Sequence, residues 1–271
     1  MPRGGYSMST TATVRRLAFA AAVLGLLLAL LLFAPARWLA SALDRASGGQ
    51  VQLVNARGSV WSGQADLLLT GGEGSRTSSA LPQGLRWRLR PAWQGGPAFA
   101  LALQAPCCTP QPLQLRLHPG LSETSLSVAG FDSHWPAELL AGLGTPWNTL
   151  RLQGVLALRS EGLTLTLASG RARLQGGLDI DALDMASRLS SIRPLGSYRA
   201  TLRAGTEGDT ARLDLSTLSG ALLLQGQGQW VGGRLRFAGD AQAAPGSEEA
   251  LTNLLNIVGR RQGARSVITI G

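Results

Sequence analysis

Apolar and polar residues alternate with a period of two through most of the chain after residue 50. Leucines occupy every second position of 113–118, with Gln, Arg and His between them, and the same alternation recurs at 163–167, 212–215 and 234–237. A period of two places alternate side chains on opposite faces of a strand. Strands with one apolar and one polar face are typical of antiparallel sheets. Almost no helix-length segment separates these strands, which excludes a parallel sheet built from βαβ units.

Turn signals separate the predicted strands at short, regular intervals, and they consist mainly of paired glycines. The signals are Gly71-Gly72, Gly95-Gly96, Pro119-Gly120, Glu161-Gly162, Gly176-Gly177, Gly208-Asp209 and Gly232-Gly233. The chain contains 35 glycines, and the alternation continues between them. The sequence therefore predicts a mainly β fold, a curved antiparallel meander of about a dozen short strands.

Two segments have a helical period instead. Residues 133–143 carry a proline near the predicted helix start and then three leucines on one side. Residues 247–259 place apolar side chains at i, i+3, i+4 and i+7 after a serine that suits the helix cap. We therefore predict two short helices and a last strand at 266–270. The region 145–148 is a boundary at which two halves of the β domain could meet.

The longest apolar run covers residues 17–34, eighteen positions without a charge or a hydrogen-bonding side chain. As a helix this run is ~27 Å long, close to the ~30 Å hydrocarbon core of a bilayer. Basic residues concentrate on the cytoplasmic side of a membrane, and tryptophan prefers the interface. The flanking residues that fit these two surfaces are Arg15, Arg16, Arg37 and Trp38.

These flanks predict a short cytoplasmic N-terminus at 1–16, a transmembrane anchor at 17–36 and a large β-rich domain across the membrane at 37–271. A cleavable signal peptide is the alternative, because Ala34-Pro35-Ala36 has the small-x-small pattern of a cleavage site. The apolar run exceeds the roughly 7–15 residues usual in a signal peptide, so we expect the anchor to be retained. Met8 is a second candidate start, and the predicted orientation is the same from either start.

The charge composition does not indicate a nucleic-acid-binding protein. The net charge is +9, and all 25 basic residues are arginine. These arginines are scattered singly through alternating segments such as 85–90 instead of forming a basic block, which is typical of a solvated strand face. Attraction to anionic lipid head groups or to acidic partners stays open as an alternative.

No residue pattern in the chain indicates catalysis. Asp179 and Asp181 share one strand face, with Asp184 nearby, and paired carboxylates can act in acid–base chemistry or bind calcium. They alternate with apolar residues as a solvated strand face does, and no calcium loop surrounds them. The sequence contains neither a nucleophile elbow nor a phosphate-binding loop. We therefore expect no enzymatic activity, no metal and no cofactor.

Two adjacent cysteines, Cys107 and Cys108, are the only cysteines in the chain. An oxidising compartment permits a disulfide between them, although the ring is strained and such bonds are uncommon. We interpret them as free or locally paired thiols at a proline-flanked turn, and whether the disulfide forms stays open. With only His118 and His134 as histidines, the pair does not indicate a zinc site.

Several segments, taken in order, resemble one protein family. Residues 58–63 read Gly-Ser-Val-Trp-Ser-Gly and are similar to the G-x-V-W-x-G signature of the type II (general) secretion pathway protein N family. An L-x-W-x-L-x-P run also fits that family, as do three later segments. These four segments are 85–93, 217–230, 239–244 and 249–261. The resemblance covers essentially the whole chain, although the cysteine pair lies outside the matched segments.

The resemblance implies a single-pass component of the bacterial inner membrane, with a cytoplasmic N-terminus and a periplasmic β-rich domain. The family belongs to the type II secretion system, which moves folded periplasmic proteins through an outer-membrane secretin. It also implies a curved sheet of the AsmA type, no enzymatic activity, and contacts with the bilayer and with other inner-membrane or periplasmic subunits. The alternative function is lipid handling, with acyl chains held in a leucine-lined groove.

Three tryptophans are candidate partner contacts: Trp61 in the signature, Trp87 and Trp93. A large apolar side chain with one N–H donor suits an interface anchor. In the structural alternative, Trp61 caps the end of the β core and the glycines of the signature shape a turn. We expect Trp230, which is in phase with the leucines of its strand, to lie in the core.

Overall fold

The computed structural model describes residues 10–72, 77–93, 95–120, 122–168, 171–205, 210–231 and 234–271. Within these ranges the chain forms four α-helices, one 3-10 helix (Ala137–Leu143) and 15 strands. The α-helices are α1 (Thr10–Leu32), α2 (Ala36–Ala46), α3 (Trp147–Leu150) and α4 (Glu248–Val258). The strands are β1 (Val51–Gly58), β2 (Ser62–Thr70), β3 (Ser78–Ala80), β4 (Leu85–Ala92), β5 (Ala98–Gln104), β6 (Leu113–His118), β7 (Glu123–Pro136), β8 (Leu152–Ala168), β9 (Arg171–Ser187), β10 (Gly196–Ala204), β11 (Thr210–Gly220), β12 (Leu222–Val231), β13 (Arg234–Ala243), β14 (Arg260–Gln262) and β15 (Arg265–Ile270).

The described strands form one antiparallel sheet that follows chain order almost throughout. The spatial order is β1-β2-β4-β5-β6-β7-β8-β9-β10-β11-β12-β13-β15-β14, and β3 pairs with the far end of β2. Strands joined in chain order need only short turns when they are antiparallel. The predicted mainly β fold with an N-terminal apolar helix is confirmed. Two of the predicted turns, Gly208-Asp209 and Gly232-Gly233, lie outside the described residues.

The N-terminal apolar run forms α1, in which Val14–Leu32 is long and apolar enough to cross a membrane. The helix ends at Leu32, slightly earlier than the apolar run. Pro35 explains this end, because proline lacks an N–H and disfavours helical backbone at the residue before it. A second helix, α2, starts directly after Pro35 and is absent from the predictions above.

Two predicted turns are wrong. Glu161-Gly162 and Gly176-Gly177 lie inside the long strands β8 and β9, where Gly162 pairs with Gly177. The register of this strand pair shifts between Arg159 and Gly162. Gly176 has a φ of +90°, a conformation that glycine adopts readily. These glycines therefore mark a β-bulge in two long strands.

The predicted helix at 133–143 begins later than expected. Its first four residues complete β7, the next seven form the 3-10 helix, and α3 follows after a short break. The predicted helix at 247–259 is confirmed as α4, and the last predicted strand as β15. The region 145–148 overlaps the start of α3, and the sheet continues from β7 to β8 across it. The division into two halves stays a prediction.

Three clusters of buried side chains form the core, each with a helix packed on the apolar face of the sheet. The α2 cluster contains Ala36, Leu53, Ala65 and Trp87. The 3-10 cluster contains Leu81, Ala105, Cys108 and Leu139. The α4 cluster contains, among others, Met185, Tyr198, Leu222, Leu251, Leu254 and Leu255. Burial of these side chains is the main source of stability in each region.

Candidate functional site

The signature at 58–63 forms the turn between β1 and β2. Gly58 and Gly63 pair at the end of the β1–β2 ladder. Gly58 has a φ of +93°, which side-chain-bearing residues disfavour. A Cβ at this position would also lie 2.5 Å from the Ser62 carbonyl oxygen. The turn itself therefore requires the first glycine of the signature.

The second glycine of the signature is required by a tryptophan from another strand. A Cβ on Gly63 would lie 2.4 Å from Cζ2 of Trp87 and 2.6 Å from the Arg57 carbonyl oxygen. Trp87 is 3 % exposed. Its Nε1 donates to the Ser59 and Val60 carbonyl oxygens at 3.2 and 3.1 Å. The signature and the L-x-W-x-L-x-P run therefore pack as one unit.

The same turn holds the end of α1. Trp61 Nε1 donates to the Leu31 carbonyl oxygen at 2.8 Å, and the Val60 N–H donates to the Ala34 carbonyl oxygen at 2.9 Å. On its other side, the Trp61 carbonyl oxygen accepts from the Leu89 N–H at 2.7 Å. The membrane junction, as we call this unit, comprises residues 31–34, 58–63 and 85–89. It ties the apolar helix to three strands of the sheet.

The three candidate partner contacts differ in exposure. Trp87 is buried, Trp61 is partly exposed at the membrane junction, and Trp93 is 77 % exposed just after β4. A partner can therefore reach Trp93 and part of Trp61, whereas Trp87 is buried in the α2 cluster. The role of these residues as partner contacts stays a prediction.

The residues expected at the membrane interface lie at the two ends of the apolar helix. Arg15 and Arg16 are exposed near the start of α1. Arg37 and Trp38 are exposed on α2, where the Trp38 side chain is 50 % exposed. Trp38 and Trp61 thus both lie near the end of α1, in keeping with the interfacial preference of tryptophan.

A stripe of apolar side chains on the same sheet face lies outside the three clusters. Cross-strand register joins its members on neighbouring strands, since Leu126 pairs with both Leu117 and Leu165, and Leu202 pairs with both Leu178 and Leu213. Leu167 is 50 % exposed and Leu117 is 39 % exposed. This uncovered stripe comprises Leu89, Phe99, Leu115, Leu117, Leu126, Leu165, Leu167, Leu178, Leu202, Leu213 and Trp230. None of these residues belongs to the clusters packed by helices.

The prediction that Trp230 lies in the core is wrong. Trp230 shares the apolar face of β12 with Leu222, which belongs to the α4 cluster. The helix packs at the Leu222 end of the strand and leaves the other end open, so that Leu222 is 4 % exposed and Trp230 is 46 % exposed. Alternation alone does not determine which end a helix covers.

Part of the uncovered stripe, together with Leu101 from beside the α2 cluster, forms a shallow apolar depression of about 250 Å³. Side chains from β4, β5, β6 and β7 line it. These are Leu89, Phe99, Leu101, Leu115, Leu117 and Leu126. Its lining is almost wholly apolar, so it offers a surface for apolar ligands or partner side chains and no polar group for chemistry.

The opposite face of the sheet carries cross-strand ion pairs between β9 and β10. Arg199 donates from Nε and Nη2 to the two carboxylate oxygens of Asp181 at 2.6 and 2.7 Å, and Arg203 pairs with Asp179. These hydrogen bonds from Arg199 lower the pKa of Asp181 below its ordinary value. Asp181 is 8 % exposed, so the prediction of a solvated strand face is wrong for this residue. Asp184 is exposed.

A metal site is not apparent in the part of the chain that the structure describes. There, no group of three or more His, Cys, Asp or Glu side chains could hold a metal ion. The aspartates of β9 instead serve as acceptors for arginines of β10. Their arrangement stabilises the strand pair and supplies no free acid–base couple.

Cys107 and Cys108 form a vicinal disulfide. Cys108 is 4 % exposed and packs in the 3-10 cluster beside Leu139. Its carbonyl oxygen accepts from the His134 N–H at 2.8 Å. The turn that carries the disulfide is thereby fixed to β7, which answers the question that the sequence leaves open.

Helix α2 is the main structural feature that the sequence reasoning missed. Its inner positions Ala36, Leu39, Ala40 and Leu43 have the i, i+3, i+4, i+7 spacing of an amphipathic helix. That spacing directly follows the apolar run. The proline and the predicted end of the membrane anchor lie at the same place and suggest the end of a helix instead of the start of a second one. Reading the spacing would have predicted that a helix covers the first strands.

Comparison with protein families gives one match. The family model for type II secretion system (T2SS), protein N, matches residues 49–268. No curated protein and no solved structure gives a significant match. The matched region starts between α2 and β1, and it contains the signature turn, the L-x-W-x-L-x-P strand and α4. Because the match spans most of the chain, the chain belongs to the type II secretion system protein N family.

Proposed function

We propose that this chain is a non-catalytic, single-pass component of the inner membrane that supports assembly or export through the type II secretion system. In this proposal the N-terminus is cytoplasmic, the sheet is periplasmic, and the uncovered stripe contacts other inner-membrane or periplasmic subunits. Family membership supports a place in the secretion system. The positions of Arg15 and Arg16 before the apolar helix support the orientation.

The uncovered stripe is the observation that carries the partner role. Exposed apolar side chains spread across many neighbouring strands are unusual on an isolated soluble domain, and such surfaces mark contact sites. Trp230, Leu117 and Leu167 are each more than a third exposed on it. Large apolar and aromatic side chains of this kind act as anchors in protein interfaces.

The membrane junction supports the same role. Hydrogen bonds from Trp61 and Val60 to the end of α1 attach the helix to β1, β2 and β4. A sheet held in this way keeps a defined orientation relative to the membrane. A partner that docks on the stripe would then meet a surface whose position is fixed by the anchor.

Topology is tested with a reporter and a mapped N-terminus. A phosphatase that is active only in the periplasm, fused after Gly271, should be active. The N-terminus of the mature protein should lie upstream of Arg37 if the anchor is retained. An inactive fusion would contradict the orientation, and a mature protein that begins at Ala36 or Arg37 would contradict the retained anchor.

The partner role is tested by photocrosslinking in intact membranes at native protein levels. A photoreactive residue replaces Leu117, Leu167 or Trp230 on the stripe. Matched controls carry it one residue earlier, on the opposite face, at Arg116, Thr166 and Gln229. We expect the stripe positions, and not the controls, to crosslink to subunits of the secretion system. Equal crosslinking from both faces would contradict the proposal.

Lipid handling is the second candidate function, and the apolar depression on β4–β7 is the observation that favours it. Its volume of about 250 Å³ is below the roughly 300–1,000 Å³ usual for ligand pockets, which is why we place the protein partner first. The same crosslinking experiment distinguishes the two functions. Adducts between Leu117 or Leu167 and phospholipid, without a protein adduct, would favour an acyl-binding surface.

A further inference from the structure

Three arginines line a groove on the polar face of the sheet, next to the signature turn. Arg57 comes from β1, and Arg86 and Arg88 come from β4, with the backbone of Gly58 and Gly63 between them. The groove has a volume of about 580 Å³. No carboxylate is among the residues that line it. We call it the arginine groove.

Strand register brings these arginines together. Arg57 pairs with Gln64 on β2, and Gln64 pairs with Arg86 on β4. Two inter-strand spacings therefore separate Arg57 from Arg86, about 10 Å at the backbone. Arg86 and Arg88 are two residues apart on one strand face, about 7 Å. Side chains as long as arginine can converge on one small ligand across such distances.

The arginine groove carries positive charge without compensation. Among the described residues, none of its three arginines forms an ion pair, whereas Arg199 and Arg203 on the same sheet face pair with aspartates. Asp66 lines the adjoining depression together with Arg57 and Arg86, and its carboxylate accepts a hydrogen bond from Asn55 Nδ2 at 2.8 Å. Neighbouring like charges on a sheet repel one another. A bound anion would relieve this repulsion and would benefit from the concentrated positive potential.

The groove lies close to the point where α1 leaves the bilayer. Arg57 is two residues before Ser59, which forms a β-bridge with Pro35. Arg88 pairs with Ser62, whose neighbour Trp61 bonds to the end of α1. The anions that concentrate at this level are phospholipid head groups, which attract arginines near the membrane surface. Arginine also suits their phosphate, because the planar guanidinium donates two parallel hydrogen bonds to it.

We propose that the arginine groove binds the phosphodiester head group of an anionic phospholipid at the membrane surface from which α1 emerges. The bound lipid adds a polar attachment beside the apolar helix and fixes the membrane-proximal end of the sheet. This inference rests on the membrane-spanning α1 of the proposed function but not on the secretion role, because its test concerns only the purified chain and lipid.

The test measures lipid binding by the purified full-length protein in a non-ionic detergent. Native mass spectrometry follows titrations with phosphatidylglycerol and with phosphatidylcholine of the same acyl chains. The groove variant is Arg57→Gln/Arg86→Gln/Arg88→Gln. The control variant is Arg173→Gln/Arg212→Gln/Arg236→Gln. It removes the same charge from exposed arginines on the same face, without an ion pair, in strands distant from the junction. Thermal unfolding and circular dichroism establish that both variants are folded.

We expect the wild type and the control variant to prefer phosphatidylglycerol, and the groove variant to bind it at least about tenfold more weakly. Equal weakening in both variants, or none in the groove variant, would overturn the proposal. A third measurement tests whether inorganic phosphate at 10 mM displaces the bound lipid. If it displaces the lipid as effectively as phosphatidylglycerol itself does at the same concentration, the groove is a site for free phosphate. If the groove variant keeps its lipid but loses a crosslinked protein in membranes, the groove is a protein contact.

Discussion

The two ends of β12 have the same alternation of side chains but opposite environments. At one end Leu222 packs under α4 and is 4 % exposed, and at the other end Trp230 is 46 % exposed on the same face. The same contrast holds for the whole sheet. The helix-packed clusters fill some regions of the apolar face, while the uncovered stripe crosses the middle without a helix on it.

This contrast shows that the alternation of residues along a strand determines which side chains form the apolar face. Helices from elsewhere in the chain determine which parts of that face become core and which stay exposed. Leucines at every second position predict an apolar face equally well for a core and for a contact surface. In the described part of the chain, α2, the 3-10 helix, α3 and α4 convert parts of that face into core. If this explanation is right, equal substitutions in the two regions have unequal effects on stability and on association.

The largest difference in stability is expected from leucine truncation. Leu254→Ala removes a side chain that is 1 % exposed in the α4 cluster, and it should lower the free energy of unfolding by about 2–5 kcal/mol. Leu167→Ala removes one that is 50 % exposed on the stripe, and it should cost less than about 1 kcal/mol. Urea unfolding of the full-length protein in detergent measures both. Equal losses would mean that the stripe is part of the core.

A smaller loss of stability is expected from filling space in the covered region. Gly63→Ala places a methyl group against the Trp87 ring and the Arg57 backbone, and overpacking of this kind costs about 1–3 kcal/mol. Gly246→Ala is the control, because its Cβ meets nothing within 4 Å although φ is +85°. The control therefore reports backbone strain alone, about 1–2 kcal/mol.

The Gly63 experiment also reports on the membrane junction. If Trp87 is the main obstacle, the double variant Gly63→Ala/Trp87→Leu should lose less stability than the sum of the two single variants. Additive losses would mean that the signature turn and β4 are energetically independent, contrary to the packing described above.

The sequence predicts the fold class well because alternation and turn residues act locally. The strands, α4 and the last strand follow from the period of apolar residues, whereas Ser247 makes no side-chain capping hydrogen bond at the start of α4. The sequence predicts two turns where the structure has a bulge at Gly162 and Gly176, because a glycine pair permits either outcome and the choice depends on the partner strand. The sequence also predicts a core position for Trp230 and a solvated one for Asp181, and both predictions are wrong. The exposure of each residue depends on elements elsewhere in the chain. For Trp230 it depends on where α4 packs, and for Asp181 it depends on the neighbouring strands.

The functional site is less predictable for the same reason. The signature at 58–63 stands out in the sequence, but its contact with Trp87 and with the end of α1 depends on strand order. The arginine groove has no sequence signature, since Arg57 and Arg86 are 29 positions apart in the chain. Only the β1–β2–β4 register brings them close together, with Gln64 of β2 between them.

The comparison between covered and uncovered regions extends to the polar face. The Asp181 side chain on β9 is 11 % exposed behind the α4 cluster, and the Asp179 side chain is 41 % exposed nearer the stripe. Asp181→Asn should therefore cost about 1–2 kcal/mol, and Asp179→Asn less than about 0.5 kcal/mol. Urea unfolding at neutral pH provides the measurement.

The stability difference between the wild type and Asp181→Asn should shrink, and not grow, as the pH falls. Hydrogen bonds from Arg199 lower the folded-state pKa of Asp181 below its ordinary value of 3.8. The stabilisation from this carboxylate is therefore fully present above that value, and it is lost as the pH falls through the lower folded-state pKa. The stability gap between wild type and Asp181→Asn should be constant from pH 7 to pH 5 and should shrink below pH ~3.8. A gap that widens in acid would contradict the assignment.

A small effect on stability, and the largest on association, is expected from polar substitution on the stripe. Leu117→Ser/Leu167→Ser changes two side chains that are 39 % and 50 % exposed, so the free energy of unfolding should change by no more than about 1 kcal/mol for each. Removing two apolar anchors from a contact surface should nevertheless abolish the crosslink formed by a photoreactive residue at the Trp230 position. It should also reduce secretion. Gln114→Ser/Thr166→Ser is the matched control on the opposite face, and it should leave both unchanged. If the stripe variant melts like the wild type and still crosslinks and secretes normally, the stripe is not the partner surface. If it instead unfolds as readily as Leu254→Ala, the uncovered region is core, and the contrast between the two regions is wrong.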